Sequence, residues 1–342
     1  MVPMKTKSVR ILDNTFTIYG EDDYLREIGE EFEPDNIAIL KLLCDQDSRV
    51  LDVGANIGMT ALAFSQTCPR GQIAAIEPLP PTFQYLQRNV TEAGARNLKI
   101  FNFALGSRAG TVLMQGHPSN FACSFVADNY TIPNDDHFSY EVPVKRLDDT
   151  FSKLSLDRLD FLKVDVEGFE LEVFAGAKEI LNTYKPIVFL EMNHWCLNIY
   201  RRISIPEFRE RLLNFFSYVY AVDGLQILDY VDPRNVHHIN YHHVLQFRFM
   251  NLVAGFDRQE ILFRLSKLGG ESASTSQLRT QALKNPRTQE LKKAAMKETA
   301  LAVGSAQAGS AGSAGSAGSA ESAGSAESAE SAGSAGSRGS AG

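Results

Sequence analysis

The chain has 342 residues, 44% of them hydrophobic and 22% charged, with a formal net charge of −7. This is the balance of an ordinary globular protein, and its acidic excess excludes a dedicated nucleic-acid binder, whose footprint is a basic stripe. The four cysteines, Cys44, Cys68, Cys123 and Cys196, show no CxxC or Cys/His spacing, which argues against a disulfide framework or zinc site and for a reducing compartment.

The first 16 residues have no apolar core of signal-peptide length, and no run approaches the roughly 20 apolar residues of a membrane span. The expectation is a cytoplasmic protein without a membrane span. Residues 9–19 alternate apolar and polar side chains as an edge strand does. Glu33-Pro34-Asp35 then opens an apolar-periodic helix over residues 37–43. Strands are predicted at 49–53, 72–76, 98–103, 160–164 and 187–191, with helices at 59–66, 81–93 and 170–182. Short apolar strands alternating with helices indicate an α/β fold with a mostly parallel sheet covered on both faces. Residues 106–150 lack helical periodicity and read as a β-hairpin-like insertion, with a polar loop at 115–120. Beyond it come an amphipathic helix at 206–216 and strands at 218–222, 225–228 and 245–253. Residues 236–243 are rich in histidine, but His237-His238 and His242-His243 are adjacent pairs. On an extended chain neighbours point to opposite faces, so neither pair is placed to chelate one ion.

Phe263 is the last aromatic residue, and residues 269–342 are an Ala/Gly/Ser-rich stretch poor in large apolar side chains. Such a composition cannot offset the entropy of ordering it. The organisation expected is an N-terminal strand and helix over 1–48 packing on the core, a ligand-binding domain over 49–268, and a disordered tail over 269–342.

The sharpest local signal is LDVGANIG, residues 51–58: an apolar strand running into small residues and then a helix. Gly54 and Gly58 are read as allowing close backbone approach to a ligand, while the free N–H groups of the helix start suit a carboxylate. About 20 residues on, Glu77 ends the next strand, where a carboxylate accepts hydrogen bonds from both ribose hydroxyls of an adenosine ligand. A dinucleotide site would carry Gly-x-Gly-x-x-Gly, with its middle glycine making room for pyrophosphate. Here Asn56 stands in the turn, and Asp52, just before it, would repel a pyrophosphate but suits the ammonium of S-adenosylmethionine. An NAD(P)-binding oxidoreductase and a catalytically silent Rossmann-like binding or scaffold protein remain as rival readings.

A second cluster, KVDVEGFE at residues 163–170, joins LDVGANIG, AIEP (75–78), NFALG (102–106), VKRLDD (144–149) and FLEMN (189–193). In this order and spacing they resemble the FkbM-type S-adenosylmethionine-dependent methyltransferase family over about residues 33–195. The resemblance implies a Rossmann-like class I methyltransferase fold, S-adenosylmethionine as donor, and O-methylation of a carbohydrate or other small hydroxylated metabolite. It implies Asp52, Gly54, Asn56 and Gly58 around the methionine moiety, Glu77 on the ribose, Asn102 and Ala104 near the adenine, and Asp165 facing the methyl group. Open α/β sheets bind ligands beyond the carboxyl ends of their strands. That rule makes Asp165 and Glu167, then Glu191, Asn193 and His194, the candidates for managing the acceptor's proton. Asp165, Glu191 and Asn193 are one possible oxygen set for Mg²⁺; the metal-free alternative makes Glu191 or His194 the general base. Glu170, at a helix start, fits a structural role as well as a chemical one. The acceptor is expected to be a small molecule or glycan, and the oligomeric state is not legible.

Overall fold

Strands buried on both faces read as unbroken apolar runs, and residues 50–53 and 161–164 obey this, every side chain in them being buried. The computed structural model describes residues 5–118, 120–132 and 137–268; the expected tail over 269–342 lies outside the described residues. The N-terminal part contains β1 (Lys5–Ile11), β2 (Asn14–Gly20), α1 (Asp22–Glu27) and α2 (Pro34–Leu43). Next come β3 (Arg49–Val53), α3 (Met59–Thr67), β4 (Gln72–Ile76), α4 (Pro80–Ala93) and β5 (Leu98–Phe101). The insertion holds β6 (Ala104–Leu105), β7 (Gly110–His117), β8 (Asn120–Val126) and β9 (Phe138–Lys145). After it follow α5 (Leu147–Thr150), β10 (Phe161–Val164), α6 (Glu170–Ala175), α7 (Lys178–Tyr184) and β11 (Ile187–Glu191). The chain continues through α8 (His194–Arg201), α9 (Ile205–Leu212), β12 (Tyr218–Asp223) and β13 (Gln226–Asp229). Then come α10 (Pro233–Gln246), β14 (Asn251–Gly255) and α11 (Arg258–Leu265). Among the described residues no helix is long and apolar enough to cross a membrane.

The main sheet runs β13-β12-β14-β11-β10-β3-β4-β5. Its centre, β11-β10-β3-β4-β5, is parallel, whereas β14 pairs antiparallel with both β11 and β12. This is the Rossmann-like α/β arrangement of the class I methyltransferase fold. Alternation along each strand divides the core in two. Leu51, Val53, Leu162 and Val164 face one apolar cluster, while Val50 and Phe161 face the other. Asp52 and Lys163 share the parity of Val50 and Phe161, and they are register partners across β3 and β10. Chain order reverses between these two strands, so the loops after them diverge and open a crevice.

Several boundaries differ from the sequence reading, each for a local reason. Residues 9–19 are not one edge strand: the chain turns at Leu12 (φ 54°), and β1 and β2 pair antiparallel in a separate two-stranded sheet. Asn89 of α4 clips that hairpin to the core, donating from Nδ2 to Tyr19 O and Ile57 O. The strand predicted at 98–103 stops at Phe101, and Ala104–Leu105 joins the four-stranded sheet β6-β9-β7-β8 formed by the insertion. The expected polar loop at 115–120 is largely strand, since β7 extends to His117 and β8 begins at Asn120. The helix predicted over 170–182 breaks at Gly176, where the backbone passes so close to Gly106 that a Cβ would lie 2.0 Å from its carbonyl oxygen. Residues 236–243 are helical, not extended: Asp232 caps α10 by accepting from Arg234 N at 2.9 Å, and Pro233 occupies the first turn. Because α10 runs to Gln246, β14 starts only at Asn251.

Candidate active site

Residues 54–58 connect β3 to α3 with left-handed backbone at Gly54 (φ 78°), Asn56 (φ 51°) and Gly58 (φ 99°). Gly54 N and Ala55 N both donate to Ile76 O at 3.0 Å, which pins the turn to the end of β4. The fold itself requires both glycines. A Cβ on Gly54 would lie 1.8 Å from Asp165 O, and one on Gly58 would lie 2.6 Å from Leu86 Cδ1 of α4. At both positions the protein itself leaves no room for a Cβ, and Gly54 also lines the site's cleft.

Glu77 stands where β4 ends, buried, with Oε2 accepting from Asn56 N at 3.0 Å and Oε1 from Leu79 N at 2.9 Å. Burial pushes its carboxyl up to about 7, against the pull of those two N–H groups. Asn102 holds the same corner from the outside, its amide donating to Glu77 O and Pro78 O at 2.9 Å each. Asp52 is fully buried and meets Thr60 Oγ1 at 2.7 Å and Lys163 Nζ at 3.4 Å. Lys163 Nζ also lies 2.9 Å from Gly54 O and 3.4 Å from Asp165 Oδ2. Burial works against the lysine's charge, but the Asp52 and Asp165 carboxylates outweigh it and raise the pKa above the usual lysine range. Within the protein Asp52 thus has Lys163 as its counter-charge.

After β10, Glu167 (φ 51°) and Gly168 (φ 94°) form a tight turn closed by Glu170. Glu170 Oε1 accepts from Val166 N and Gly168 N at 3.2 Å, and burial raises this carboxyl to about 7. Glu167 Oε2 accepts from the Cys196 thiol at 3.0 Å. After β11, Asn193 caps α8, its Oδ1 accepting from Trp195 N and Cys196 N. That first turn carries the His194 ring to α10, where its Nδ1 lies 3.3 Å from His243 Nε2. His243 Nδ1 is 3.0 Å from Arg248 O, so it donates there and its Nε2 accepts from His194. Burial lowers both rings, His243 to about 4.

The loops enclose a cleft of about 1250 Å³, including its open mouth. Gly54, Asn56, Glu77, Ala104, Asp165, Glu167 and Glu191 line it; Asp52, Gly58, Asn102 and His194 do not. Oxygens of Asp165, Glu167 and Glu191 lie within 4.8 Å of one another; Asn193, expected beside Asp165 and Glu191, caps α8 and is not part of the cleft lining. The sequence reading missed two walls. Tyr24, Phe32 and Glu33 arrive from the N-terminal segment, and Met114 and Phe121 from the insertion; only long-range packing brings them here. It also missed Thr82, buried in the first turn of α4 with an unpartnered Oγ1 and lining the cleft. A polar ligand with an apolar part fits this lining: a buried carboxylate, an orphaned hydroxyl and an acidic group set among apolar walls.

Residues 52–221 match the model of the methyltransferase FkbM domain. Methyltransferase 1 of Beauveria bassiana is 32% identical over 145 residues, 38% of this chain and 58% of its own. The 2-O-methyltransferase NoeI of Sinorhizobium fredii is 30% identical, over 42% of this chain and 63% of its own. The hexuronic acid methyltransferase AglP of Haloferax volcanii is 27% identical, over 51% and 68%. The chain thus spans about six-tenths of the length of the first two relatives. Motifs, strand order and cleft agree with this match, and through residues 52–221 the chain belongs to the FkbM methyltransferase family.

Proposed function

We propose that this chain transfers a methyl group from S-adenosylmethionine to a hydroxyl oxygen of a carbohydrate or other small hydroxylated molecule. The observation that carries the reading is one cleft at the sheet's switch point, lined by Glu77 after β4 on one side of β3 and by Asp165, Glu167 and Glu191 at the ends of β10 and β11 on the other. A 2-O-methyltransferase and a hexuronic acid methyltransferase among the relatives support the hydroxyl acceptor.

When bound, S-adenosylmethionine supplies a methyl group already activated by its sulfonium, so the chain needs no covalent nucleophile. Its residues must align the acceptor, exclude water and take one proton. Glu77 would accept from the ribose hydroxyls, and the unpartnered Thr82 hydroxyl would offer a further polar contact in the same cleft. Lys163, 3.4 Å from Asp165 Oδ2, holds that carboxylate in place. Glu191, half-buried and lining the cleft, takes the acceptor's proton. Because Lys163 already neutralises part of the acidic group, the metal-free version is the one we favour over Mg²⁺ assistance.

The test is transfer from labelled S-adenosylmethionine to fractionated glycan and metabolite pools, with and without EDTA. Glu191→Gln is expected to cut turnover at least about 100-fold, the loss typical of a positioned proton acceptor. Chelation is expected to leave the wild type unaltered. Near-normal turnover in the variant overturns the role of Glu191. Stabilisation of the fold by NAD but not by S-adenosylhomocysteine overturns the cofactor assignment.

A further inference from the structure

Helix α10 changes what its histidines can do. His238 and His242 are four residues apart, so they share one helical face about 6 Å apart along the axis. Their rings lie with centroids 4.3 Å apart and planes inclined at 54°. Ile239 and His243, one residue on and about 100° round the helix, are buried in the protein. His238 is exposed and His242 half-buried, and neither lines the cleft.

Both rings are held. His242 Nδ1 lies 2.8 Å from Gln246 Oε1, one further turn along. An amide oxygen only accepts, so this contact puts the imidazole proton on Nδ1 and leaves the lone pair on Nε2. That is how a neighbouring oxygen orients an imidazole for a metal ion. His238 packs edge-on to the Phe249 ring, centroids 5.9 Å apart at 66°, which restricts its rotation.

We propose that His238 and His242 form a two-imidazole chelate for a first-row transition ion of the Zn²⁺, Ni²⁺ or Cu²⁺ class, with Gln246 as the positioning residue and water completing the shell. Neutral nitrogen donors suit these ions, whereas Mg²⁺ and Ca²⁺ demand oxygen. The site is therefore chemically distinct from the carboxylates of the cleft. An ion bridging these two residues clamps one turn of α10. The next residue, about 100° round that helix, is the buried His243, which holds His194 at the start of α8.

The experiment uses the full chain without a polyhistidine tag, titrated calorimetrically with Zn²⁺ and melted with Zn²⁺ or Mg²⁺. Wild type should bind one Zn²⁺ and melt higher with Zn²⁺ but not with Mg²⁺, because the ion binds the folded helix in preference to the open chain. Gln246→Met should weaken Zn²⁺ binding about 10-fold, in the range of a lost outer contact. His238→Asn and His242→Asn should each weaken it further and abolish the thermal shift. His237→Asn, one position away and off this face, should change neither. Unchanged Zn²⁺ affinity in both His238→Asn and His242→Asn overturns the proposal. So does a loss in His237→Asn as large as theirs, or abolition of binding by Asp165→Asn, which would put the ion in the cleft.

Discussion

Replacing Lys163 by Met tests whether the buried charges beneath the cleft are coupled as the geometry indicates. The ammonium is 3.4 Å from Asp52 Oδ1 and from Asp165 Oδ2, and the Asp52 and Lys163 side chains are 0% and 6% exposed. Methionine fills a similar volume but strands the Asp52 carboxylate, whose remaining described partner is the Thr60 hydroxyl at 2.7 Å, and it also frees Gly54 O. Removing one partner of a buried pair costs about 3–5 kcal/mol, because the other charge stays buried without compensation. For a domain of this size that is a fall in melting temperature of roughly 10 °C. Asp52→Asn combined with Lys163→Met removes both charges, and the double variant should recover more than half of the loss. Urea unfolding at pH 7.5 of the wild type, both single variants and the double variant closes the cycle. A loss below about 1 kcal/mol in Lys163→Met, or a double variant as unstable as the sum of the singles, would refute the coupling.

Three further outcomes follow from the same geometry. The Glu77 carboxyl sits at about 7 in the free protein, and ribose hydroxyls donate to its ionised form, so S-adenosylhomocysteine affinity should fall as pH drops from 8 to 6. Glu77→Gln should flatten that profile and bind about 10- to 150-fold more weakly at pH 8 in calorimetric titration; an unchanged affinity and slope would remove Glu77 from the site. Gly58→Val places a branched side chain at φ 99° and against Leu86, so it should lower stability by at least about 2 kcal/mol. Its remaining folded fraction should still bind S-adenosylhomocysteine; normal stability with lost binding would show that Gly58 serves the ligand and not the packing. The Glu170 carboxyl, raised from 4.5 to about 7 in the folded state, keeps a proton that the unfolded chain releases, so stability falls as pH rises through this window, by about 3 kcal/mol from this group. Glu170→Gln should reduce the decline measured by denaturant unfolding between pH 5 and 8; an identical decline would show that the group does not titrate there.

The sequence alone determined the features that local chemistry dictates. An apolar run followed by small residues is a strand entering a turn whatever surrounds it, and strands at 49–53, 72–76 and 187–191 lie where the pattern puts them. The motifs KVDVEGFE and FLEMN likewise put carboxylates at two strand ends, and three of them, Asp165, Glu167 and Glu191, come together in one cleft. Histidine-rich residues 236–243 were misread although Asp232-Pro233 carried the signal, because a capped helix start outweighs polar composition. Other features were decided only by tertiary structure. Whether Asp52 meets a ligand or Lys163 depends on the register of β3 against β10, which no local window contains. Whether His194 faces the cleft or His243 depends on how α8 meets α10, a contact between residues 49 positions apart. Tyr24 and Phe121 become walls of one cleft because two segments, each unable to bury its apolar side chains alone, close over the same carboxyl edge of the sheet.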